Sequence, residues 1–320
     1  MQKFEIGKND AGQRMDRYLS KLLVKAKKSL LQKSLRKKNI TLNGKKAKAE
    51  DILREGDWVE VYFSDETIEK FRDIKDLGGG GNLSLLYEDE DILLVEKPRG
   101  ILTHSSQRAR EDNMVDRLIH YLIQKGDYAP RLEQTFVPAF ANRLDRNTSG
   151  ILLAGKTAKG LRNLNQAIQK REIEKHYLLM IQGDLKKRQV VTTSGKKLEG
   201  KRKMVEGEDI DMKTIFNPLS HGAYSLIDAE LVTGKFHQIR YHMQGLGYPI
   251  FGDKKYGQGG PGQWLHNYKL VFHTSGDLDY LKGRVFQANL GQDLSRLGRE
   301  KIGRDFDRIF KEIYGEKIDK

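Results

Sequence analysis

Residues 142–154 read N-R-L-D-R-N-T-S-G-I-L-L-A, a polar turn that passes at once into an apolar run. The run Ile151–Ala154 predicts a buried strand, and the turn predicts a loop at the mouth of a sheet, where functional side chains are commonly mounted. Asp145 is the lone carboxylate of the turn and stands between Arg143 and Arg146. Because opposite charge nearby lowers the pKa of a carboxyl group, we expect Asp145 to stay ionised and to act as a nucleophile or a base. A solvated surface ion pair explains the same spacing equally well.

The residues Gly150–Thr157 also match the pattern of a phosphate-binding loop, G-x-x-x-x-G-K-T. Such a loop needs flexible residues between its glycines, so that backbone N–H groups can wrap a phosphate, and a buried strand in front of it. Here the residues between the glycines are themselves the apolar run, and the residues in front are polar. The physical chemistry of this stretch therefore disfavours a nucleotide site.

The charge of the chain indicates its class of partner. The 320 residues include 58 Lys and Arg against 44 Asp and Glu, a formal net charge of +14. Nucleic acid is the leading partner for so basic a chain, ahead of an anionic membrane surface. Since no apolar run reaches the length of a membrane span or a signal peptide, we expect no membrane partner and a cytoplasmic location. The length allows two domains and a sizeable core.

The sequence contains no cysteine. This excludes disulfide bonds, zinc sites with thiolate ligands and every mechanism with a cysteine nucleophile. It also excludes two other modifications of RNA pyrimidines: methylation at C5 through a cysteine adduct, and deamination at a zinc ion held by cysteines.

The front of the chain, residues 1–64, predicts a small module. Its first helix is indicated by apolar residues at helical spacing, Met15, Leu19, Leu22 and Leu23. Ser29 is a candidate N-cap for a second helix. Residues 40–42 then predict a short strand, Asn43-Gly44 a tight turn and Trp58–Phe63 an alternating strand.

The same front module is strongly basic. Between Arg14 and Lys48 stand 13 Lys and Arg residues and one acid, Asp16. A solvated charged face is the simplest explanation of a charged run, but like charges repel, so this imbalance favours phosphate binding. The order of elements, with N-G-K at 43–45 and G-D at 56–57, resembles the S4 RNA-binding domain. By that resemblance the RNA-binding surface comprises Arg14, Arg17, Lys21, Lys33, Arg36 and Lys37.

The remainder of the chain predicts a linker and one large domain. Residues 65–82 are acidic and end in the glycines Gly78–Gly81, which predicts a flexible linker. Residues 83–320 alternate strand and helix patterns as a mixed α+β domain does. Within it, the lysine- and glycine-rich residues 186–207 predict a hairpin or a mobile loop over a substrate. The residues from Asp293 onward predict a charged helical extension.

A second polar segment, residues 233–242, begins with a turn and continues as a helix pattern, in which Gln238 and Arg240 contribute polar side chains. His237 and His242 are five residues apart, whereas two zinc ligands on one helical face are four apart, so we expect no metal site. In the strand pattern of residues 174–181, core packing is a sufficient explanation of Tyr177, because aromatic residues are common in strands.

Four motifs, in this order, resemble the pseudouridine synthases of the RluA, RluC and RluD type. They are L-L-V-E-K-P-R-G-I-L-T-H at 93–104, N-R-L-D-R-N-T-S-G at 142–150, E-K-H-Y-L-L-M-I-Q-G at 174–183, and the segment 231–257, which contains G-K-F-H-Q-I-R and G-D-K-K-Y-G. The resemblance extends over nearly the whole chain. It implies an α+β fold, with a mixed, largely antiparallel sheet flanked by helices and an RNA cleft across its middle, preceded by the small α/β S4-like domain.

The resemblance also implies roles for individual residues. Asp145 matches the catalytic aspartate, Tyr177 the active-site tyrosine, and Arg240 the basic residue that pairs with Asp145. Arg143 matches the arginine that helps to displace the target base from its stack.

Three further residues are candidates for contact with RNA, Asn142, His237 and Gln238. Two positions depart from the family pattern. Asn142 stands where a histidine is usual, and Lys235-Phe236 stands where Arg-Thr is frequent. These departures concern contacts with the substrate and leave the Asp, Tyr and Arg positions intact.

The implied reaction is the isomerisation of uridine to pseudouridine in RNA. It breaks the N1–C1′ bond, turns the base and joins C5 to C1′, with no net redox change and no group donor, so no cofactor is expected. An ionised carboxylate suits both attack at the sugar and removal of a sugar proton, and the sequence leaves both open. An ordinary glycosidase brings a second, protonated carboxyl group, which the Asp145 motif lacks.

Two other functions stay open on the sequence: a non-catalytic RNA-binding or ribosome-assembly factor with the same fold, and a P-loop NTPase that acts on RNA. The S4-like front favours structured ribosomal RNA of the large subunit as the partner, with transfer RNA as the alternative. We expect a monomer. The residues do not identify the uridine that is modified.

Overall fold

A computed structural model describes residues 1–72, 81–105, 111–129, 135–198, 203–208 and 210–315. The front module forms a four-stranded antiparallel sheet with the strand order β1-β4-β2-β3, covered by helices. Its elements are β1 (Gln2–Glu5), α1 (Met15–Leu22), α2 (Lys28–Arg36), β2 (Ile40–Leu42), β3 (Lys45–Lys46), β4 (Trp58–Val61) and α3 (Asp65–Phe71).

The helices and turn of the front module follow the sequence predictions in most respects. The apolar residues predicted for α1 are all buried. Asn43 and Gly44 both have positive φ, 51° and 72°, as a tight hairpin turn requires. The prediction of Ser29 as an N-cap is wrong. The cap position of α2 is Lys27, and Ser29 lies inside the first turn, where its backbone is already helical.

The start of the segment predicted as a linker is instead a helix. Ser64 caps α3 by accepting a hydrogen bond from the backbone N–H of Thr67 at 3.3 Å. Asp65 and Glu66 form the first turn, where negative charge is favourable because of the helix dipole. Ile68 is fully buried in the core of the front module. Residues 73–80, which include most of the predicted glycine run, lie outside the described residues.

The larger part of the chain forms one extended sheet flanked by helices. Its strands in the described residues are β5 (Ser84–Glu88), β6 (Ile92–Lys97), β7 (Ala139–Phe140), β8 (Ser149–Gly155), β9 (Ile173–Gln182), β10 (Gln189–Leu198), β11 (Lys203–Glu206), β12 (Ile210–Pro218), β13 (Tyr224–Leu231), β14 (Leu265–Phe272) and β15 (Val285–Gln287). Its helices there are α4 (Met114–Lys125), α5 (Ala158–Gln169), α6 (Gln238–Gly245), α7 (Gln292–Ile302) and α8 (Arg304–Tyr314), with a 3-10 helix at Gly276–Leu281.

The sheet confirms the predicted fold class. Its order is β11-β10-β12-β13-β9-β14-β8-β6-β5, with β15 beside β14 and β7 beside β8. Among the pairings of the described strands, β14 with β8 is parallel and the others are antiparallel. The residues predicted as a hairpin or mobile loop contribute β10 and β11, which are antiparallel partners. The molecule is therefore a mixed, largely antiparallel α+β protein.

Strand β8 places the loop before it at the centre of the sheet. All seven of its residues are buried, between β6 on one side and β14 on the other. Gly150 has a φ of 118°, and a Cβ atom there would lie 2.1 Å from the carbonyl oxygen of Asn267, so this crossing of strands requires glycine. The apolar run that matched a phosphate-loop pattern is this strand. Of the two residues after it, Lys156 pairs with Glu88 and Asp127, and Thr157 caps α5.

Residues 292–314 form α7 and α8, which pack on the sheet and confirm the prediction of a helical extension in this part of the chain. Trp264 donates a hydrogen bond from its indole N–H to the carbonyl oxygen of Leu294 at 3.0 Å and contacts the Phe306 ring edge-on. Both helices thus bury apolar side chains against β13 and β14. Within the described residues, every helix is too short or too polar to cross a membrane.

A buried histidine joins β9 to β13. His176 lies 3.0 Å through Nδ1 from an oxygen of Asp228 and 2.6 Å through Nε2 from an oxygen of Glu174. Burial lowers the pKa of His176, but the hydrogen bonds to Asp228 and Glu174 outweigh burial, and the pKa lies above its ordinary value. The folded state therefore binds the proton more tightly than the unfolded state does. This contribution to stability is complete below the unfolded pKa of about 6.5 and is lost as the pH rises through the folded pKa.

We expect His176→Gln to destabilise the protein most at about pH 5.5, and progressively less towards about pH 9, because the wild-type imidazolium loses its proton over that range. The measurement is the free energy of unfolding in urea as a function of pH. His221→Gln is the matched control, since His221 pairs with Asp184 at an exposed site and exposed ion pairs contribute little. A cost for His176→Gln that stays constant over this range would contradict the prediction.

Candidate active site

A cavity of about 430 Å³ opens beside the centre of the sheet. It is enclosed by the loop before β8, by the segment that leads into α6, and by β9. Asp145 is the one acidic residue among the described residues that line it. The sequence candidates on its wall are Asn142, Arg143, Asp145, Tyr177, His237, Gln238 and Arg240. The fold therefore brings together three motifs that are distant in the sequence.

Arg240 contacts two carboxylates at once. Its Nε and Nη2 donate to the two oxygens of Asp253 at 2.7 and 2.8 Å, and its Nη1 donates to Oδ2 of Asp145 at 2.6 Å. Asp253 is fully buried and Arg240 is 5% exposed, whereas the Asp145 side chain is 23% exposed. The guanidinium is therefore anchored on the buried side and holds Asp145 on the side that faces the cavity.

The neighbours of Asp145 in the sequence do not pair with it. The guanidinium of Arg143 lies 5.9 Å from the centre of the Phe236 ring, and Arg146 forms an ion pair with Glu111. The expectation that these two arginines pair with Asp145 and keep it ionised is therefore wrong, because both guanidinium groups contact other residues. The side chains of a turn diverge, so residues next to a carboxylate point away from it. The guanidinium that contacts Asp145 comes from Arg240, as the resemblance implied.

His237 is the second side chain that approaches Asp145. Its Nε2 lies 3.4 Å from Oδ2 of Asp145, and its Nδ1 lies 3.1 Å from the Tyr256 hydroxyl. Burial lowers the pKa of His237 to about 4, so the imidazole is neutral at pH 7. The Tyr256 hydroxyl accepts a hydrogen bond from the backbone N–H of Met204 at 2.7 Å, which leaves its own proton for Nδ1. On these partners we assign the imidazole proton to Nε2, facing Asp145.

The backbone of His237 is in the left-handed region, with φ 53° and ψ 21°. Such a conformation is uncommon outside glycine and is retained where the surroundings over-determine it. Here the ring stacks on Phe236 with centroids 3.8 Å apart and meets the edge of Tyr256. These contacts fix the imidazole beside the carboxylate.

Tyr177 belongs both to the core and to the cavity wall. It is 6% exposed, it packs in the main apolar cluster, and it pairs in register with Ala229 and Asn267 on the neighbouring strands. Burial raises the pKa of the Tyr177 hydroxyl, and the nearby Asp145 carboxylate raises the pKa further. The hydroxyl is therefore protonated at neutral pH.

The loop that carries Asp145 is braced from below by the segment 97–103. Lys97, which is 1% exposed, donates from Nζ to the carbonyl oxygens of Pro98 and Arg146 at 2.8 and 3.0 Å. The Thr103 hydroxyl donates to the carbonyl oxygen of Leu144 at 2.9 Å and accepts from the Leu144 N–H at 3.2 Å. Burial lowers the pKa of Lys97 to about 7, although the Asp145 charge opposes this decrease.

Two of the predicted RNA contacts have internal hydrogen-bond partners. Asn142 donates to the carbonyl oxygen of Ile151 and accepts from the N–H of Leu153, so its amide fixes the loop to β8. Gln238 is 2% exposed; its amide accepts from Thr233 and from the backbone of Lys235 and donates to Lys213 and Thr214. Both side chains shape the cavity wall.

The predicted RNA-binding residues of the front module lie away from the cavity. Arg14, Arg17 and Lys21 line a groove of about 530 Å³ between α1 and α2. Lys33, Arg36 and Lys37 are exposed on α2 and beyond its end, outside that groove.

Sequence reasoning missed several residues of the site: Asp253, Tyr256, Lys97 and Lys175, a buried lysine that lines the cavity. Asp253 and Tyr256 stand in the quoted motif at 231–257, but nothing in their spacing ties them to Arg240. The one available indication of Asp253 was its place as the single Asp of a segment that begins with Gly252 and ends with Gly257. Lys97 stands in a quoted motif as well, and no pattern predicts that a lysine is buried. His237 was assigned to RNA, and the structure places it against Asp145.

Comparison with known proteins identifies the family. A family model described as RNA pseudouridylate synthase matches residues 91–245. An uncharacterized RNA pseudouridine synthase of Mycoplasma capricolum is 31% identical over 308 residues, which cover 90% of this chain and 98% of that protein. The chain belongs to the RNA pseudouridine synthase family. The synthase is therefore an isomerase that acts on RNA.

Other relatives of the synthase carry more specific names. The ribosomal large subunit pseudouridine synthase C of Escherichia coli K12 is 30% identical over 268 residues, covering 79% of this chain and 78% of that protein. A mitochondrial tRNA pseudouridine(32) synthase of Saccharomyces cerevisiae is 30% identical over 228 residues, covering 68% of this chain and 45% of that protein. Among solved structures, Human RNA Pseudouridylate Synthase Domain Containing 4 superposes with a TM-score of 0.52 at 18% identity, over 68% of this chain and 92% of that one, and shares the fold.

The structure predicts unequal costs for removing two Asp–Arg ion pairs. Asp253→Asn breaks the buried bidentate pair with Arg240 and leaves a buried guanidinium, so we expect a loss of about 3 to 5 kcal/mol in the free energy of unfolding. Asp293→Asn, the matched control, breaks the pair with Arg99, in which the Asp293 side chain is 52% exposed. We expect that change to cost at most about 1 kcal/mol. Urea unfolding at neutral pH measures both, and equal costs would contradict the burial argument.

Proposed function

We propose that the synthase modifies uridine in structured ribosomal RNA of the large subunit and that Asp145 is its catalytic carboxylate. The observation that carries the proposal is the position of Asp145 on the wall of the cavity. Nη1 of Arg240 donates to Oδ2 of Asp145 at 2.6 Å, and the second carboxylate that Arg240 binds, Asp253, is fully buried. The ribosomal substrate is supported by the E. coli relative, and the S4-like front module supplies a basic groove for structured RNA. One chain carries all of these groups, which favours a monomer, and a ribosomal substrate favours a cytoplasmic location.

The reaction needs one carboxylate that stays charged and oriented. Charge-assisted hydrogen bonds are strong, and they are worth more in a cavity than in water. Arg240 supplies such a bond, and the neutral imidazole of His237 points its Nε2–H towards the same oxygen. Both of these contacts are with Oδ2, and no described residue donates a hydrogen bond to Oδ1, which leaves Oδ1 for the substrate. This arrangement suits attack at C1′ of the sugar and removal of a proton from C2′ equally well.

The target base has to leave its stack to reach Asp145, which costs a few kcal/mol. Arg143 is exposed at the cavity mouth over the Phe236 ring. A planar guanidinium there has the shape and charge to fill the space that the base leaves in the RNA stack. Phe236 keeps that guanidinium over the entrance.

Tyr177 closes the cavity from the β9 side, where its ring can pack on the uracil. After the C5–C1′ bond forms, the proton on C5 has to leave and N1 gains one. Because the pKa of Tyr177 is raised, a free phenolate is not present at neutral pH. Tyr177 therefore removes the C5 proton in concert with the transfer of its own hydroxyl proton to Asp145, which is a free carboxylate again once the C5–C1′ bond has formed. Water then carries that proton from Asp145 to N1, so that Tyr177 and Asp145 both return to their starting states.

The substrate and the role of Asp145 are tested together. Pseudouridines are mapped across total RNA from cells that lack the synthase and from cells complemented with wild type, Asp145→Asn or Asp277→Asn. We expect sites in large-subunit ribosomal RNA to disappear in the deletion and to return with wild type and with Asp277→Asn, an exposed control. They should stay absent with Asp145→Asn, whose amide is neither nucleophile nor base.

Two outcomes of this mapping count against the proposal. Restoration of the sites by Asp145→Asn would end the assignment of the carboxylate. Loss of sites in transfer RNA alone would replace the ribosomal substrate by the alternative.

The role of Tyr177 has a separate test. Tyr177→Phe keeps the ring and removes the hydroxyl, so we expect release of tritium from uracil C5 to fall by about 10²- to 10⁴-fold, the usual contribution of a positioned acid–base group. The measurement is tritium release from labelled RNA beside a melting curve. Tyr268→Phe is the matched control, because it removes a buried hydroxyl that donates to Asp228 outside the cavity. It should lower stability without slowing release, and full-rate release by Tyr177→Phe would make Tyr177 a core residue only.

A further inference from the structure

The front module is joined to the catalytic part by specific hydrogen bonds. The backbone N–H of Ala158, the first residue of α5, donates to Oδ1 of Asn9 at 3.1 Å. The backbone N–H of Thr135 donates to Oδ1 of Asp10 at 3.2 Å, and Nε2 of Gln13 donates to the Thr135 hydroxyl at 3.0 Å. Asp10 is 2% exposed. These contacts fix α1 beside the start of α5.

Positive charges from both parts meet at this junction. Lys21 of α1 donates to Oε1 of Gln13 at 3.1 Å, and it lies near Arg17 of the same helix and Arg162 of α5. Burial lowers the pKa of Lys21; Asp10 opposes this decrease, and the charges of Arg17 and Arg162 add to it. Like charges held close together raise the free energy unless an anion lies among them. Asp10 supplies one negative charge against the three positive charges of Arg17, Lys21 and Arg162. A further anion at the junction would therefore lower the free energy.

Helix α5 leads from this junction to the cavity. Its 12 residues span about 18 Å. Ala158 at its start contacts the front module, and Ile168 near its end lines the cavity. Between them, Arg162 is exposed, and no carboxylate of the described residues lies within 4 Å of its guanidinium. On the front-module side of the junction, the α1–α2 groove is lined by Arg14, Arg17, Lys21 and Lys28, and by Asp16, which pairs with Arg14.

We propose that Arg162, together with Arg17 and Lys21, binds a backbone phosphate of the RNA strand that passes over α5 from the α1–α2 groove to the cavity. This inference rests on the proposed action on structured RNA and adds a site to it. Since the hydrogen bonds of Asn9, Asp10 and Gln13 fix the junction, the distance between the groove and Asp145 is fixed too. The front module then selects a uridine at a set distance from the RNA element that it binds.

The test is Arg162→Ala in the full chain, with binding measured over a range of salt concentrations. The probes are a large-subunit ribosomal RNA transcript and a transfer RNA transcript. Removing one phosphate contact should weaken binding about fivefold near physiological salt and reduce the salt slope by about 0.7 to 0.9. The matched control is Lys159→Ala, three residues earlier on α5, whose ammonium already pairs with Asp91 and Asp277. It should bind as wild type does, and melting curves check that both variants fold.

A second measurement tests whether the two helices share one phosphate. If Lys21 and Arg162 bind the same group, the double Ala variant should lose less affinity than the product of the two single losses. Fully multiplicative losses, or wild-type binding by Arg162→Ala, would overturn the shared site. Pseudouridine formation is read in the same samples. Its absence with wild type on every RNA would count against the proposed function, whereas unchanged binding by Arg162→Ala with turnover intact would count against this inference alone.

Discussion

The guanidinium of Arg240 is buried between Asp253 and Asp145, and the other groups of the site are arranged around it. A buried charge costs several kcal/mol unless it is paired and fully hydrogen bonded. Asp253 pairs with the buried side of the guanidinium through both of its oxygens. It also accepts hydrogen bonds from the backbone N–H groups of Lys255 and Tyr256 at 2.8 and 3.1 Å. One carboxylate thus folds the turn that presents the Tyr256 hydroxyl and fixes the arginine that holds Asp145. Tyr256 in turn sets the tautomer of His237, so the three groups around Asp145 share one anchor.

The position of Asp145 also depends on the sheet. Strand β8 is held between an antiparallel and a parallel neighbour, and a side chain at residue 150 would collide with the backbone of β14. The loop before it has little room to move, because Lys97 and Thr103 bind its backbone from below. Support of this kind holds the Asp145 carboxylate in one orientation.

Much of the fold follows from patterns that act locally. The period of apolar residues predicted α1, and the apolar run after Asp145 predicted β8, because burial of one face or of a whole strand leaves a trace in the sequence. The resemblance supplied Tyr177 and the pairing of Asp145 with Arg240. The sequence did not reveal Asp253, because a contact between distant residues leaves no period. The prediction that Arg143 and Arg146 pair with Asp145 was wrong for a different reason. Neighbouring residues in a turn point their side chains in different directions. Helix α3 was missed because its acidic composition resembles that of a linker, although acids favour a first helical turn.

The contacts that support the site join parts of the chain that are synthesised at different times. Arg99 contacts Asn147 and Gly262 through their carbonyl oxygens and forms an ion pair with Asp293, which follows it by 194 residues. Strand β14, which joins β9 to β8, comes from residues 265–272. On the ribosome, the front module emerges first and can fold on its own core, while Asp145 still lacks Asp253, β14 and α7. The surroundings of Asp145 are thus completed only well after the front module has been made.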